Sequence, residues 1–223
     1  MARRSESDGQ RVSDDQSAEG RDGLNLMASD ANRVRDTPPA PGGWETLSSR
    51  PVVDDPWLRL NAEAVRTPQG LVLDPWWILD FPDWVLIVPI TTAGEVVLIR
   101  QWRQGARQFV LEIPGGAIDP HDPDALAAAR RELLEETGYA AAELRHVGAL
   151  WPDPARNNNR CQVVLALGCE RVAEQALEPG ETIETVAQPL AETRRMLRDG
   201  GMESAMHCAA LLRGLCAAGL LDI

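Results

Sequence analysis

Apolar residues fall mostly into short runs along this chain, and only three stretches carry helical spacing. Short apolar runs over Trp44 to Val53, Trp57 to Leu60, Ala62 to Arg66, Leu71 to Leu73 and Trp76 to Phe81 are separated by Pro, Gly and Asp turn signals. That pattern predicts short antiparallel strands. Trp84 to Ile90 and Glu95 to Gln101 are longer β-branched runs joined by the hairpin turn Thr91-Thr92-Ala93-Gly94. Phe109 to Ile113 reads as another strand. Pro114-Gly115-Gly116 breaks it at a point where the missing side chains let the backbone come close to something. A helix follows, with Asp122 as N-cap, Pro123 in its first turn, a body through Ala125 to Ala129, and Gly138 just past its end. Ala127, Arg130 and Leu134 give the side opposite its acids a partly apolar character. Residues 143–150 and 161–169 read as strands, and 170–182 as an acidic loop. Helices over about 188–199 and 203–218 finish the chain, the first with Leu190, Thr193 and Leu197 on one side. The expected fold class is α/β, with a mixed central sheet between helices and an antiparallel β extension before it.

Composition divides the chain further. Residues 1–43 are rich in Ser, Asp, Gly, Arg and Gln and close on a Pro-rich run, so they are expected to form a disordered tail. The strand-rich extension covers 44–82 and the main domain 83–223. No apolar run reaches the ~18–20 residues of a membrane span, and the N-terminus lacks the apolar core of a secretory signal. Cys161, Cys169, Cys208 and Cys216 contain no CxxC pair and are expected as reduced thiols of a cytoplasmic protein. A net charge of −12 opposes non-specific nucleic-acid binding. All 22 cationic side chains are arginine, which excludes Schiff-base chemistry and the lysine of a Walker A loop. Phosphate binding in this chain therefore falls to arginine, backbone N–H groups or a metal ion.

The densest chemistry lies in Arg131-Glu132-Leu133-Leu134-Glu135-Glu136-Thr137-Gly138. Glutamates at i, i+3 and i+4 share one helix face and repel by roughly 0.2–0.5 kcal/mol per pair. Alone, this is also what a solvated acidic face looks like. A hard divalent cation would relieve the repulsion, and a few carboxylates together with substrate phosphates are how Mg²⁺ is usually held. The Gly-Gly loop and the electropositive helix N-terminus ahead of these acids would bring a substrate anion near them. Metal-assisted attack of water on a diphosphate suits that order of parts.

Leu111-Glu112-Ile113-Pro114-Gly115-Gly116, followed by Arg131 through Tyr139, resembles the Nudix hydrolase box, GX5EX7REUXEEXGU, where U is a bulky apolar residue. The second half matches at every position, with Tyr139 as the last U. The first half departs from the pattern. Fourteen residues separate Gly116 from Arg131 where the family has thirteen, and Asp122, Pro123 or Asp124 takes the place of the first glutamate. Gln101-Trp102-Arg103 is similar to the Gln-aromatic-Arg of ADP-ribose pyrophosphatase-like members, and Pro154 lies fifteen residues beyond Tyr139, where such members carry a proline. The proline loop reads Asp-Pro-Ala-Arg-Asn-Asn-Asn-Arg instead of their Ser-Pro-Gly, which leaves the wider class of nucleoside diphosphates linked to a group X.

The resemblance spans about residues 50–220 and implies a Nudix fold. It implies Mg²⁺, or Mn²⁺, held by Glu132, Glu135, Glu136 and the carbonyl of Gly115, with Arg131 paired to a box glutamate. The catalytic base would be a box glutamate or an acid of the late loop, where Glu181 is the candidate and Glu178 and Glu184 lie close by. The substrate would be ADP-ribose or another nucleoside diphosphate sugar, cleaved to a nucleoside monophosphate and phosphorylated X. The extension would build a homodimer and part of the nucleoside pocket. Arg103 is expected to bind phosphate, Arg156 and Arg160 to read a sugar, and Glu112 to belong with these substrate-binding residues, with an arginine partner or a supporting place at the site. Trp102 and Trp151 are candidates for base contact; His121, His146 and His207 receive no role. Two other readings stay open: a nucleotide-binding regulatory module of the same fold without hydrolysis, and hydrolysis of dinucleotides or nucleoside triphosphates.

Overall fold

The computed structural model describes residues 40–222, so the tail expected over 1–43 lies outside the described residues except for its last few positions. The described residues form two sheets and three helices. In the first, β1 (Glu45–Asp55), β2 (Leu58–Arg66) and β3 (Val72–Asp80) form an antiparallel meander. The sequence pattern breaks β2 and β3 into pieces, yet each runs through. Pro75 has no N–H for the ladder, and the pairing is irregular there: Glu63 faces Trp76 while Val65 faces Leu73.

The second sheet is eight-stranded and mixed. Its strands are β4 (Trp84–Thr91), β5 (Glu95–Arg103), β6 (Gln108–Glu112), β7 (Gly115–Ala117), β8 (Tyr139–Ala140), β9 (Glu143–Leu150), β10 (Cys161–Arg171) and β11 (Ile183–Pro189). The central order is β11-β5-β4-β10-β8, with β6 on β5, β7 on β4 and β9 on β10. β4 and β10 pair in parallel and the other neighbours are antiparallel. Helices α1 (Ala125–Thr137), α2 (Leu190–Asp199) and α3 (Ala205–Ala217) flank it.

β4 explains this layering. Alternate side chains leave opposite faces of a strand, and those of β4 are apolar on both. Val85 and Ile87 pack with Ala128, Ala129 and Leu133 of α1, whereas Leu86, Val88 and Ile90 share a core with Leu211 and Leu215 of α3. Full burial of each such branched side chain stabilises the fold by about 1.5–3 kcal/mol. Gly214 lets α3 lie flush on the sheet, since a Cβ there would stand 2.5 Å from Val88 Cγ2.

Three local expectations change. The N-cap of α1 is Asp124, not Asp122: its carboxylate accepts from the N–H groups of Leu126 (2.9 Å) and Ala127 (2.8 Å). The buried stripe of α1 is Ala128, Ala129 and Leu133, while Leu134 is exposed, because close seating on β4 and β10 selects the small residues. Residues 183–189 form strand β11 along β5, with Ile183 opposite Gln101, so the following helix starts only at Leu190. The Gly115–Gly116 break also has a ladder of its own: β7 places Gly116 opposite Val85. These registers gather the start of β4, the end of β5, β7 and the start of β11 at one end of the sheet, beside the acidic face of α1.

Candidate active site

A cavity of about 340 Å³ opens at that end. Gln101 and Arg103 of β5, Gly115 to Ala117 of β7, Asp119, Arg131, Glu132, Glu135 and Glu136 of α1, and Ala176, Glu178 and Glu181 of the late loop line it. Helical spacing alone puts the three α1 glutamates on one wall.

Glu136 is buried, and its Oε2 accepts the Gly115 N–H at 2.8 Å. That bond orients the loop. Ile87 donates to Pro114, so by the alternation of antiparallel ladders Gly116 faces β4 and Gly115 turns away from it. N–H and C=O of one strand residue point to the same edge, so the Gly115 carbonyl also faces the α1 side. Glycine is required at Gly115, where a Cβ would stand 2.1 Å from Val85 O of the backbone, and at Gly116 a Cβ would stand 2.4 Å from Glu132 Oε1 and push that carboxylate aside.

Arg131 organises the rest. Its Nη1 donates to Glu132 at 2.8 Å and to Glu135 at 3.2 Å, and its Nη2 to Asp122 at 2.8 Å and to the Ala117 carbonyl at 3.1 Å. Asp122 also accepts the Asp119 N–H at 2.9 Å. Of the three residues that stood for the missing first glutamate, Asp122 is the one that reaches Arg131. A turn closed by the Asp122 N–H on Asp119 O precedes the helix. Burial opposes the Arg131 charge, but Asp122 and Glu132 outweigh it and hold the guanidinium above its usual pKa. Burial likewise works against ionised Asp122, yet the Arg131 and Asp119 bonds win and lower its pKa.

The glutamates behave in the opposite way. Burial pushes Glu132 up to about 7 against the opposing pull of Arg131, and Glu135 and Glu181 add to the rise. Burial pushes Glu136 up to about 8 despite the Gly115 N–H, and Glu132 and Glu181 add to that rise. These carboxylates crowd one another and lack enough positive charge to ionise together near neutral pH. A divalent cation would supply that charge, and an all-oxygen donor set suits a hard ion. Among the described residues no preformed cluster of three His, Cys, Asp or Glu ligands stands ready, since Arg131 draws Glu132 and Glu135 toward itself. The donor chemistry, the raised pKa values and the glycine gap against Glu132 fit a cation.

The other sequence candidates divide between the cavity and its surroundings. Glu181 and Glu178 line the cavity, whereas Glu184 pairs with Arg100 at 3.2 Å on an exposed part of the sheet. Arg103 lines it too, and donates to buried Glu112 through Nε (2.9 Å) and Nη2 (2.6 Å). Glu112 therefore sits behind Arg103, away from the cavity wall, with His207 Nε2 3.6 Å from its other oxygen. Burial lowers the pKa of His207, whose Nδ1 lies against the Ile113 backbone. Arg156 and Arg160 lie outside the cavity lining. Arg160 stacks on Trp151 at 4.4 Å, and its loop is tied to the β3–β4 connection by Asn158 on Asp80 (2.6 Å) and by Arg160 N–H on Asp83 (2.7 Å). Trp102 turns away and packs edge-on against Phe109. Gln101, Asp119 and Ala176 join the lining without having been assigned a role. For Gln101 the period-2 alternation with Arg103 was the available signal.

The fold is a mixed sheet between helices, with the acidic face of α1 set against a Gly-Gly strand at one cavity. The NUDIX domain model matches residues 81–204, more than half of the chain, and the chain belongs to this family of hydrolases. The nucleoside diphosphate sugar hydrolase N-terminal domain model matches residues 44–76. An ADP-ribose pyrophosphatase of Bacillus subtilis is 25% identical over 154 residues, covering 69% of this chain and 82% of the relative. The ADP compounds hydrolase NudE of Escherichia coli is 32% identical over 127 residues, 57% of this chain and 67% of the relative. A crystal structure of an ADP compounds hydrolase superposes with a TM-score of 0.69 at 25% identity, covering 80% of this chain and 97% of that one.

Proposed function

We propose that this Nudix hydrolase is a Mg²⁺-dependent pyrophosphohydrolase of ADP-ribose or a related nucleoside diphosphate sugar, yielding a nucleoside monophosphate and a phosphorylated sugar. The observation that carries the reading is the convergence of Glu132, Glu135, Glu136 and Glu181 with Arg103 on one cavity, with two of the acids held well above the usual carboxylate range. The names of the relatives support an ADP-linked substrate. Glu132, Glu135, Glu136 and the Gly115 carbonyl would hold Mg²⁺ or Mn²⁺. When bound, the cation neutralises the diphosphate and lowers the pKa of the attacking water.

The chain's own residues do the rest. Arg103, anchored from behind by Glu112, offers its remaining donors to a phosphate oxygen. Arg131 fixes the rotamers of Glu132 and Glu135. Glu181, facing Glu132 and Glu136 across the cavity, takes the proton of the attacking water, and the new P–O bond displaces the other phosphate. Arg156 and Arg160, on the neighbouring loop, are proposed contacts for the X group beyond the diphosphate. The first sheet leaves Trp44, Leu47, Val52, Trp57 and Trp77 exposed, an apolar area suited to a second copy of the chain. Among the described residues no helix is long and apolar enough to cross a membrane, and a cytoplasmic place is proposed with the rest.

A panel of ADP-ribose, NADH, GDP-mannose, UDP-glucose, dinucleoside polyphosphates and nucleoside triphosphates, assayed for phosphate-containing products with Mg²⁺, tests the reading. Fastest turnover of a nucleoside diphosphate sugar is expected. Preference for triphosphates or dinucleotides would replace this substrate class, and tight binding without any product would replace hydrolysis by a regulatory role.

A further inference from the structure

The late acidic loop does not hang freely over the cavity; it is fastened to the last turn of α1. A helix ends with carbonyls that lack intrahelical partners. Here the loop fills them: Ala176 N–H donates to Glu135 O at 2.8 Å, and Val172 and Ala173 N–H donate to Gly138 O at 2.9 and 3.1 Å. The approach is so close that a Cβ on Gly138 would stand 2.1 Å from Ala173 O. One side chain completes the junction. Gln175 Nε2 donates to Glu136 O at 2.5 Å and also reaches Ile183 O at 3.5 Å, where the loop re-enters the sheet as β11. A single amide thus joins the two ends of the loop to the residue whose carboxylate carries the Gly115 bond. Glu178 and Glu181 lie between those ends, where the Glu178 N–H on Glu181 Oε2 (2.9 Å) fixes their mutual place.

We propose that Gln175 is a positioning residue for hydrolysis: its side-chain amide clips the acidic loop to the C-terminal turn of α1 and so sets Glu181 against Glu132 and Glu136. The proposal rests on Glu181 acting in the reaction. Removal of the clip loosens the span between Ala176, still held on Glu135 O, and Thr182, still held by the Trp102 N–H. That shifts Glu181 while leaving Arg103 in place, because Arg103 is anchored separately by Glu112. The signature is a fall in kcat without a rise in KM.

The test is a double-mutant cycle on the full chain with ADP-ribose and Mg²⁺, comparing Gln175→Ala, Glu181→Gln and the double variant. Gln175→Ala should lower kcat about 10-fold to 100-fold, the scale of a 1 Å misplacement, with KM within about twofold and the melting curve still cooperative. Gln175→Glu, which turns an acceptor toward both carbonyls, should behave like the alanine variant. In the Glu181→Gln background the Gln175→Ala change should cost little further. Equal losses in both backgrounds would overturn the positioning role while leaving Glu181 in place. An unchanged kcat in Glu181→Gln would overturn the assignment of Glu181 and this inference together.

Discussion

Two regions at the same end of the sheet carry comparable polar chemistry and treat it in opposite ways. In the loop 151–160, charged and amide groups are spent inside the fold: Arg160 on Trp151, Asn158 on Asp80, the Arg160 N–H on Asp83. Around α1, buried Glu136 and largely covered Glu132 have like charges as neighbours and rise to about 8 and about 7. A charged group that finds its partner within the chain holds a loop in place. One that is buried without enough opposite charge stores an unfavourable interaction that a ligand can relieve. The contrast marks α1, more than the asparagine-rich loop, as the place where a cation would gain most.

The largest expected effect breaks the α1 side. Glu136→Gln keeps an oxygen for the Gly115 N–H but loses the charge. It should lower kcat by at least about 10³-fold, several kcal/mol of transition-state stabilisation, while the melting temperature stays equal or rises. Retention of more than a tenth of the activity in a steady-state assay would detach the buried acid from the chemistry. Arg103→Ala should come next, raising KM about 10-fold to 100-fold, the worth of a charged hydrogen bond. It also leaves Glu112 buried without its ion pair, so a lower melting temperature is expected in the same preparation.

Stability against pH probes the stored repulsion directly. Unfolded glutamates titrate near ~4.3, so between there and about pH 8 the folded chain keeps protons on Glu132 and Glu136 that the unfolded chain has released. The unfolded state then binds fewer protons, and stability falls as pH rises through that window. Buried His207, whose lowered pKa adds stability as pH rises toward ~6.5, works the other way. Metal-free protein should therefore lose on the order of 2 kcal/mol, about 4–8 °C in Tm, chiefly between about pH 6.5 and pH 8 in scanning calorimetry, and Mg²⁺ should restore most of it. A flat metal-free profile would contradict the raised pKa values.

The smallest effect sharpens the loop side. Arg156→Ala, at an exposed position outside the cavity lining, should change KM only a few-fold, and Arg160→Ala should cost stability by about 0.5–1 kcal/mol through the lost stacking on Trp151. A KM increase matching that of Arg103→Ala would show that this loop grips substrate as firmly as the cavity does.

What the sequence disclosed follows the same division. The strand runs, the Gly-Gly break and the i, i+3, i+4 acids depend on local periodicity, and they placed the main sheet and the acidic wall of the cavity. Asp122 looks like a cap in the sequence because Asp-Pro before an alanine-rich run is a local helix-start signal. Its bond to Arg131 crosses a turn whose geometry depends on the extra residue, and no periodicity reports that. β11 stayed hidden because Ile183, Val186 and Pro189 are spaced by three, off the period of two that marks a strand face, and its identity comes from pairing with distant β5. The burial of His207 behind Glu112 is likewise a product of α3 crossing the sheet, invisible until the two elements meet.

Turnover of ADP-ribose as a function of Mg²⁺ concentration, in the natural chain and in Glu135→Gln, tests the central claim most directly. The account predicts AMP and ribose 5-phosphate from the natural chain only when Mg²⁺ is present, abolition by a chelator, and loss of turnover in the folded variant at every Mg²⁺ concentration. Full activity in Glu135→Gln, or undiminished activity with the chelator, would contradict it.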